Sequence, residues 1–222
     1  MTSIFQRAMG EEFDRLHPML QRRFGVGLDS GEACIGTGVM SEIRRGPWWT
    51  VPFLQIGRLR RILVPDVGRD VPFTIENYPY RDPYGRETVT FSRSYALRGH
   101  ERHFDATMIE TGGTIIDYLG THQHLAVDLE MHAEPDGSLL LTSDEQRFFE
   151  GPFWFLFPMI GSGRATLRER YDDAEQQFHV DLEVTNHRFG FLFGYRGAFT
   201  CDWVPATEAP TRLKPKRHEW RV

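Results

Sequence analysis

Between residues 33 and 204 apolar and polar residues alternate with a period of two, and this pattern limits the fold more than any other feature. In residues 177–188, Phe178, Val180, Leu182 and Val184 take one side, and His179, Asp181, Glu183 and Thr185 the other. Leu125, Val127, Leu129 and Met131 alternate in the same way with Ala126, Asp128, Glu130 and His132. A strand points successive side chains to opposite faces, so such runs are half-buried antiparallel strands. The segments 33–43, 71–80, 86–97, 103–110, 114–119, 122–132, 138–149, 163–172, 177–188 and 195–204 qualify. Turn residues separate them, as in Asp82-Pro83-Tyr84-Gly85, Gly112-Gly113 and Pro135-Asp136-Gly137. Connections this short make hairpins and meanders, not parallel crossovers. An open twisted sheet of about ten strands curls, splits or closes. The expected fold is therefore mainly β: an antiparallel, strongly curved sheet or barrel of about ten strands, with a two-sheet sandwich as the alternative.

An N-terminal helix packed on the sheet is expected over residues 3–24. Ser3 and Gln6 have the spacing of a capping box, in which each side chain satisfies an orphan backbone N–H. Phe5, Met9, Phe13, Leu16, Leu20 and Phe24 form one apolar stripe. Pro18 cannot donate to the helical ladder, so the helix kinks or restarts near His17. Gly25 is a natural stop. Arg22 and Arg23 fall on the polar face. Residues 46–66 read as a short helix or ordered loop rich in aromatics and arginine. Residues 151–161 are almost wholly apolar between two prolines and would plug a barrel or form the mouth of a cavity. Residues 1–204 are expected to form a single domain. Residues 205–222, with three prolines and charges of +5 and −2, read as a basic, poorly ordered tail.

Charge and composition exclude several chemistries. The net charge is −5, and without the tail it is −5 − 3 = −8, which disfavours nucleic acid as a partner. The chain has 24 arginines but only two lysines, Lys214 and Lys216. The body therefore has no amine for a Schiff base and no lysine for a phosphate-binding loop. Two cysteines, Cys34 and Cys201, make neither a disulfide framework nor a four-ligand zinc site, and read as reduced thiols of a cytoplasmic protein. No apolar run reaches the roughly 18 residues of an integral membrane segment. The nucleophile elbow of α/β-hydrolases is missing.

Several longer segments resemble a known family. They are Arg69-Asp70-Val71-Pro72-Phe73-Thr74-Ile75-Glu76-Asn77-Tyr78, Phe104-Asp105-Ala106-Thr107-Met108-Ile109, Asp117-Tyr118-Leu119-Gly120-Thr121-His122-Gln123-His124-Leu125 and Gln146-Arg147-Phe148-Phe149-Glu150-Gly151-Pro152, together with Leu192-Phe193-Gly194-Tyr195-Arg196-Gly197. Over residues 3–203 the chain resembles a bacterial family known only as a domain of unknown function, similar to the C-terminal domain of YndJ-like proteins. That resemblance implies no activity and brings no catalytic residues with it.

Candidate site residues come from polar interruptions of apolar strands. His122 and His124, two apart on a strand, would project together. They would serve as polar ligand contacts, or with Asp105, Glu76 or Glu145 as metal ligands, or as ordinary sheet histidines; no metal and no cofactor is assigned. Arg93 shares a face with Val89, Phe91, Tyr95 and Leu97 and needs a partner or a ligand there. Glu76, Asp105 and Arg147 interrupt their strands similarly, as structural ion pairs or as an interior polar patch. Trp154 would line the mouth of a cavity. The leading expectation is a binding module for a lipophilic small molecule in a β-barrel cavity, contacted by His122, His124, Glu76, Arg93, Asp105, Arg147 and Trp154. The alternatives are a cofactor-poor isomerase, cyclase or hydrolase using the same cavity, and a structural or partner-binding domain.

Overall fold

The alternating segments become twelve strands in the computed structural model, which describes residues 2–48, 61, 66–156, 163–206 and 208–222. They are β1 (Glu32–Arg45), β2 (Gly68–Asn77), β3 (Pro79–Arg81), β4 (Glu87–Leu97), β5 (His100–Thr111), β6 (Thr114–Leu119), β7 (Leu125–Ala133), β8 (Leu139–Glu150), β9 (Phe153–Leu156), β10 (Arg164–Asp172), β11 (Gln177–Asn186) and β12 (Gly190–Pro205). Ten of them close a ring in the order β10-β11-β12-β1-β2-β4-β5-β6-β7-β8, with β8 pairing back to β10. Every pairing is antiparallel. β3 is an appendage of β4, and β9 an appendage of β8. The expected barrel is thus the observed one. Most of its buried apolar residues form one inward-facing cluster, whereas a barrel that spans a membrane turns an apolar band outward. No helix among the described residues is long and apolar enough to cross one.

The N-terminal segment closes one end. It is not a single helix: α1 (Ile4–Met9) ends at Gly10, whose φ is +55°, a 3-10 turn follows over Gly10–Arg15, and α2 (Pro18–Phe24) restarts at Pro18. The Ser3–Gln6 capping box forms, and the whole stripe from Phe5 to Phe24 is buried. Phe5 meets Phe24 edge-on at 5.2 Å and Phe91 of β4 at 5.9 Å. Phe199 of β12 lies 5.9 Å from Phe73 and 5.4 Å from Phe178. Each ring removed from water contributes about 1.5–3 kcal/mol.

Small inner residues let β1 and β12 approach. A Cβ on Gly38 would stand 2.1 Å from the Ala198 carbonyl oxygen and 2.5 Å from Phe199 Cα, both backbone atoms that cannot swing aside. Gly38→Ala is expected to destabilise the barrel by about 1–3 kcal/mol; an unchanged urea midpoint would contradict this.

Residues 208–222 correct an expectation: they are not a loose tail. They lie along the outside of the barrel over a second apolar cluster, Ile109, Ile116, Tyr118, Ala126 and Phe149. Arg212 donates to both Glu76 carboxylate oxygens at 2.6 Å, and the Glu219 N–H donates to Gln123 Oε1 at 2.6 Å. The Tyr118 hydroxyl donates to the Arg221 carbonyl at 2.5 Å. Of the charges that suggested a solvated tail, Arg212 pairs with Glu76 in the barrel wall, whereas Lys214 pairs with Glu208 and Arg217 and Arg221 pair with Glu219 of the segment itself.

Candidate functional site

Two polar layers interrupt the apolar interior. The first lies at the helix-capped end. Arg23, expected on the polar face of a helix, instead enters the barrel from α2. It donates to Glu169 Oε1 of β10 and to Asn77 Oδ1 of β2, both at 2.6 Å, with the Cys34 Sγ at 3.6 Å. Both charged side chains are almost fully buried, at 2% and 4% exposure. The Arg23 charge and a Cys201 contact pull the Cys34 thiol down to about 7 against the effect of burial; the Cys201 contact is the larger influence. Cys201 moves the opposite way, its thiol pushed up by Cys34 and by burial.

The second layer contains groups whose hydrogen-bonding capacity is unused among the described residues. The inward residues of β4 are Val89, Phe91, Arg93 and Tyr95. Arg93 is buried, its guanidinium 4.7 Å from the centroid of the Phe104 ring and 5.6 Å from that of Phe91. Its Nη1 has no hydrogen-bond partner among the described residues, nor do Asp117 Oδ1 on β6 and the Tyr95 hydroxyl. Burial pushes the Asp117 carboxyl up to about 7, and the Arg93 charge offsets this only in part. Burial also holds the Tyr95 phenol well above its usual range; Tyr195 comes close without reaching hydrogen-bond geometry. Orphaned buried polar atoms are rare in folded proteins and call for an explanation.

Between the layers is a cavity of about 30 Å³, bordered by Phe5, Phe24, Phe91, Arg93, Tyr195 and Phe199. That is the share of one water molecule in the liquid. Any larger guest requires aromatic side chains to move aside.

Of the residues singled out in the sequence, only Arg93 lines this interior. Glu76 faces outward to Arg212. Asp105 faces outward, accepting from the Ser92 hydroxyl at 2.8 Å and pairing with Arg61 at 2.9 Å. Arg147 is on the outer wall, bound to Asp128 and, at 3.1 Å, to Glu145. Trp154 is exposed on β9. The expectation that these residues share one interior patch is corrected by strand parity: their inward neighbours are Ile75, Ala106, Gln146 and Phe148.

His122 and His124 precede β7 and are not part of it. Gly120 and Gln123 adopt positive φ, 79° and 51°, which folds residues 120–124 into a turn. The Gln123 side chain is buried there, donating to Thr107 Oγ1 at 2.7 Å. The imidazoles still meet, stacked at 5.4 Å with planes 8° apart. His124 is buried, with Nδ1 3.0 Å from both the Phe149 carbonyl and Glu150 Oε2. Both neighbours accept, so that nitrogen carries the proton. The pair sits on the rim, apart from Arg93.

Asp117, Tyr95 and the Arg23–Glu169 pair are the functional candidates that sequence reasoning missed. For Asp117 a signal existed: it is the single acid in Thr114-Ile115-Ile116-Asp117-Tyr118-Leu119. Asp172, Glu175 and His179 on the outer β10–β11 turn have donor atoms within 4.8 Å of one another. The Asp172 carboxylate is already taken by the N–H groups of Ala174 and Glu175 and by Arg170, so turn geometry accounts for the group.

Comparison with known proteins matches the barrel as a whole and not one motif. The uncharacterized protein YndH of Bacillus subtilis (strain 168) is 32% identical over 201 residues, 90% of this chain and 97% of that protein. A family model described as a domain of unknown function, DUF4166, matches residues 16–199, from the restart of the N-terminal helix to the inner Phe199 of β12. The chain belongs to this DUF4166 family.

Proposed function

We propose that the barrel is a binding module for a lipophilic small molecule with an acidic head group. The observation that supports this is the trio of buried polar atoms without a hydrogen-bond partner among the described residues, Arg93 Nη1, Asp117 Oδ1 and Tyr95 OH, beside aromatic rings. A carboxylate would accept from Arg93 and Tyr95, and a protonated Asp117 would donate to it. The apolar part would displace aromatic side chains around the small cavity, so binding is coupled to a rearrangement of Phe91 and its neighbours. The two thiols fit a reducing compartment, the cytoplasm. Nucleic acid has no place in this reading.

The test is native mass spectrometry of the purified protein, followed by titration with decanoate. Stoichiometric retention of a hydrophobe, or saturable decanoate binding that weakens at least about ten-fold in Arg93→Met, is expected. If neither a co-purified hydrophobe nor decanoate uptake is found, the barrel is a structural or partner-binding domain and the proposal fails. One observation favours an isomerase, cyclase or hydrolase as the second reading: a buried carboxyl held near neutrality suits general acid–base work.

A further inference from the structure

We propose that Cys34 and Cys201, held against the Arg23 guanidinium, are an oxidation site: a dithiol that hydrogen peroxide closes to a disulfide between β1 and β12. The site lies in the capped layer, and the proposal does not depend on whether the Arg93 layer takes a ligand. The chain has two cysteines, so within one chain each has the other as its sole thiol partner.

Strand register brings the two sulfurs together. Where β1 pairs with β12, Cys34 stands opposite Trp203 and Cys201 opposite Gly36. The cysteines are therefore diagonal neighbours on one face of the sheet. Cys34 is buried there and Cys201 half-buried. Gly36 presents no side chain beside them. One guanidinium serves both: Arg23 Nη1 donates to Cys34 Sγ at 3.6 Å and reaches Cys201 Sγ at 4.0 Å. Glu169 and Asn77 hold that guanidinium in place, each at 2.6 Å. Diagonal neighbours in a sheet have Cα atoms about 7 Å apart, the upper limit for a disulfide, so closure needs a small approach of the strands. Both cysteines lie near strand ends, where such a shift meets least resistance: β1 begins at Glu32 and β12 ends at Pro205.

The surroundings divide the roles. A buried thiol in apolar surroundings is inert, whereas a cation beside the sulfur favours the reactive thiolate. The contact with Cys201, and then the Arg23 charge, draw the Cys34 thiol down to about 7 against burial. Cys34 and burial push the Cys201 thiol up, so it keeps its proton. Arg23 and Glu169 are the charged side chains that act on both sulfurs. The Cys34 thiolate attacks one peroxide oxygen: an S–O bond forms, the O–O bond breaks, and the departing hydroxide takes up a proton to become water. The Cys201 sulfur then attacks the Cys34 sulfenic acid: the S–S bond forms, the S–O bond breaks, and the Cys201 proton leaves with the hydroxide as a second water. The two sulfurs lose two electrons and peroxide gains them. Half-exposure of Cys201 gives a molecule as small as peroxide its way in. The same guanidinium argues against a metal ion between the sulfurs, because a second cation would face the Arg23 charge. Disulfides of cytoplasmic proteins are typically of this transient, redox-sensing kind.

Treatment of the reduced full chain with hydrogen peroxide, followed by alkylation in urea and mass spectrometry, tests this. The expected product is a monomer that takes up no alkyl group, yields peptides joined through Cys34 and Cys201, and regains both thiols in dithiothreitol. The folded chain should form the bridge at least about ten-fold faster than the chain unfolded in urea, where the two sulfurs must first find each other. Its rate should rise with pH about a midpoint near 7, below the value of about 8.5 for an ordinary thiol. Cys201→Ser should form no bridge and hold a sulfenic acid at Cys34, trapped with dimedone on unfolding. Circular dichroism of that variant and of Cys34→Ser, which should also form no bridge, checks that both fold. Two thiols still alkylated after treatment overturn the proposal. So do bridges formed only between chains, a folded chain no faster than the unfolded one, or a midpoint at the ordinary thiol value.

Discussion

Arg23→Met is expected to lower the unfolding free energy by about 3–5 kcal/mol, because it leaves Glu169 as an uncompensated charge at the capped end of the barrel. The geometry is specific. Nε donates to Glu169 and Nη1 to Asn77, both at 2.6 Å, and neither charged side chain reaches water. The lost attraction alone would be modest after desolvation. The large effect comes from the orphaned carboxylate and from the Asn77 amide oxygen, which also loses its donor. Arg23→Met combined with Glu169→Leu should recover much of the loss, since replacing both members of a buried pair by apolar groups is often close to neutral. Urea unfolding of the two single variants and the double variant measures the coupling directly. Additive losses would show that the pair is not an energetic unit.

The barrel was legible because the period-two signal is local. Residues 177–188 declare their faces without reference to any other strand, and β11 occupies Gln177–Asn186. Phe5 to Phe24 likewise carry their own periodicity, and Pro18 marks its own break. What failed depended on distant partners. The C-terminal segment looks like a linker by composition, yet its hydrogen bonds go to Glu76, Tyr118 and Gln123, roughly a hundred or more residues away. His122-Gln123-His124 reads as extended chain until Gln123 turns its backbone to positive φ to bury its own amide. Arg23 lies on the polar face when the helix is read alone, and enters the core only because α2 caps a ring of strands that includes Glu169. Glu76, Asp105 and Arg147 were marked by their charge, but inward or outward is set by register. The same register that turns Ile75 and Ala106 inward puts Glu76 and Asp105 in the outer wall.

Asp117→Asn is expected to change how stability depends on pH, and the sign follows from the direction of the shift. The unfolded carboxyl titrates near about 4, whereas burial raises it to about 7 in the folded barrel. Between those values the folded protein holds a proton that the unfolded chain has released. Stability therefore falls as pH rises through this window, by as much as about 4 kcal/mol if the whole shift is expressed. Asparagine stays neutral, so the variant should gain on the parent progressively from about pH 4 to about pH 7 and hold that advantage above it. Carboxylates whose pKa is lowered, such as Asp66 and Glu219, act in the opposite sense, losing stability as pH falls. They are common to both proteins and cancel in the difference. Arg93→Met should steepen the dependence, because the Arg93 charge is what holds the carboxyl down. Denaturant unfolding at intervals from pH 4 to 8 gives the difference curve, and a flat one would mean that Asp117 keeps an ordinary carboxylate pKa. The same titration bears on binding. If an acidic head group sits against Arg93, ionising Asp117 adds a like charge beside it, so decanoate affinity should fall as pH rises through 7 in the parent and stay level in Asp117→Asn.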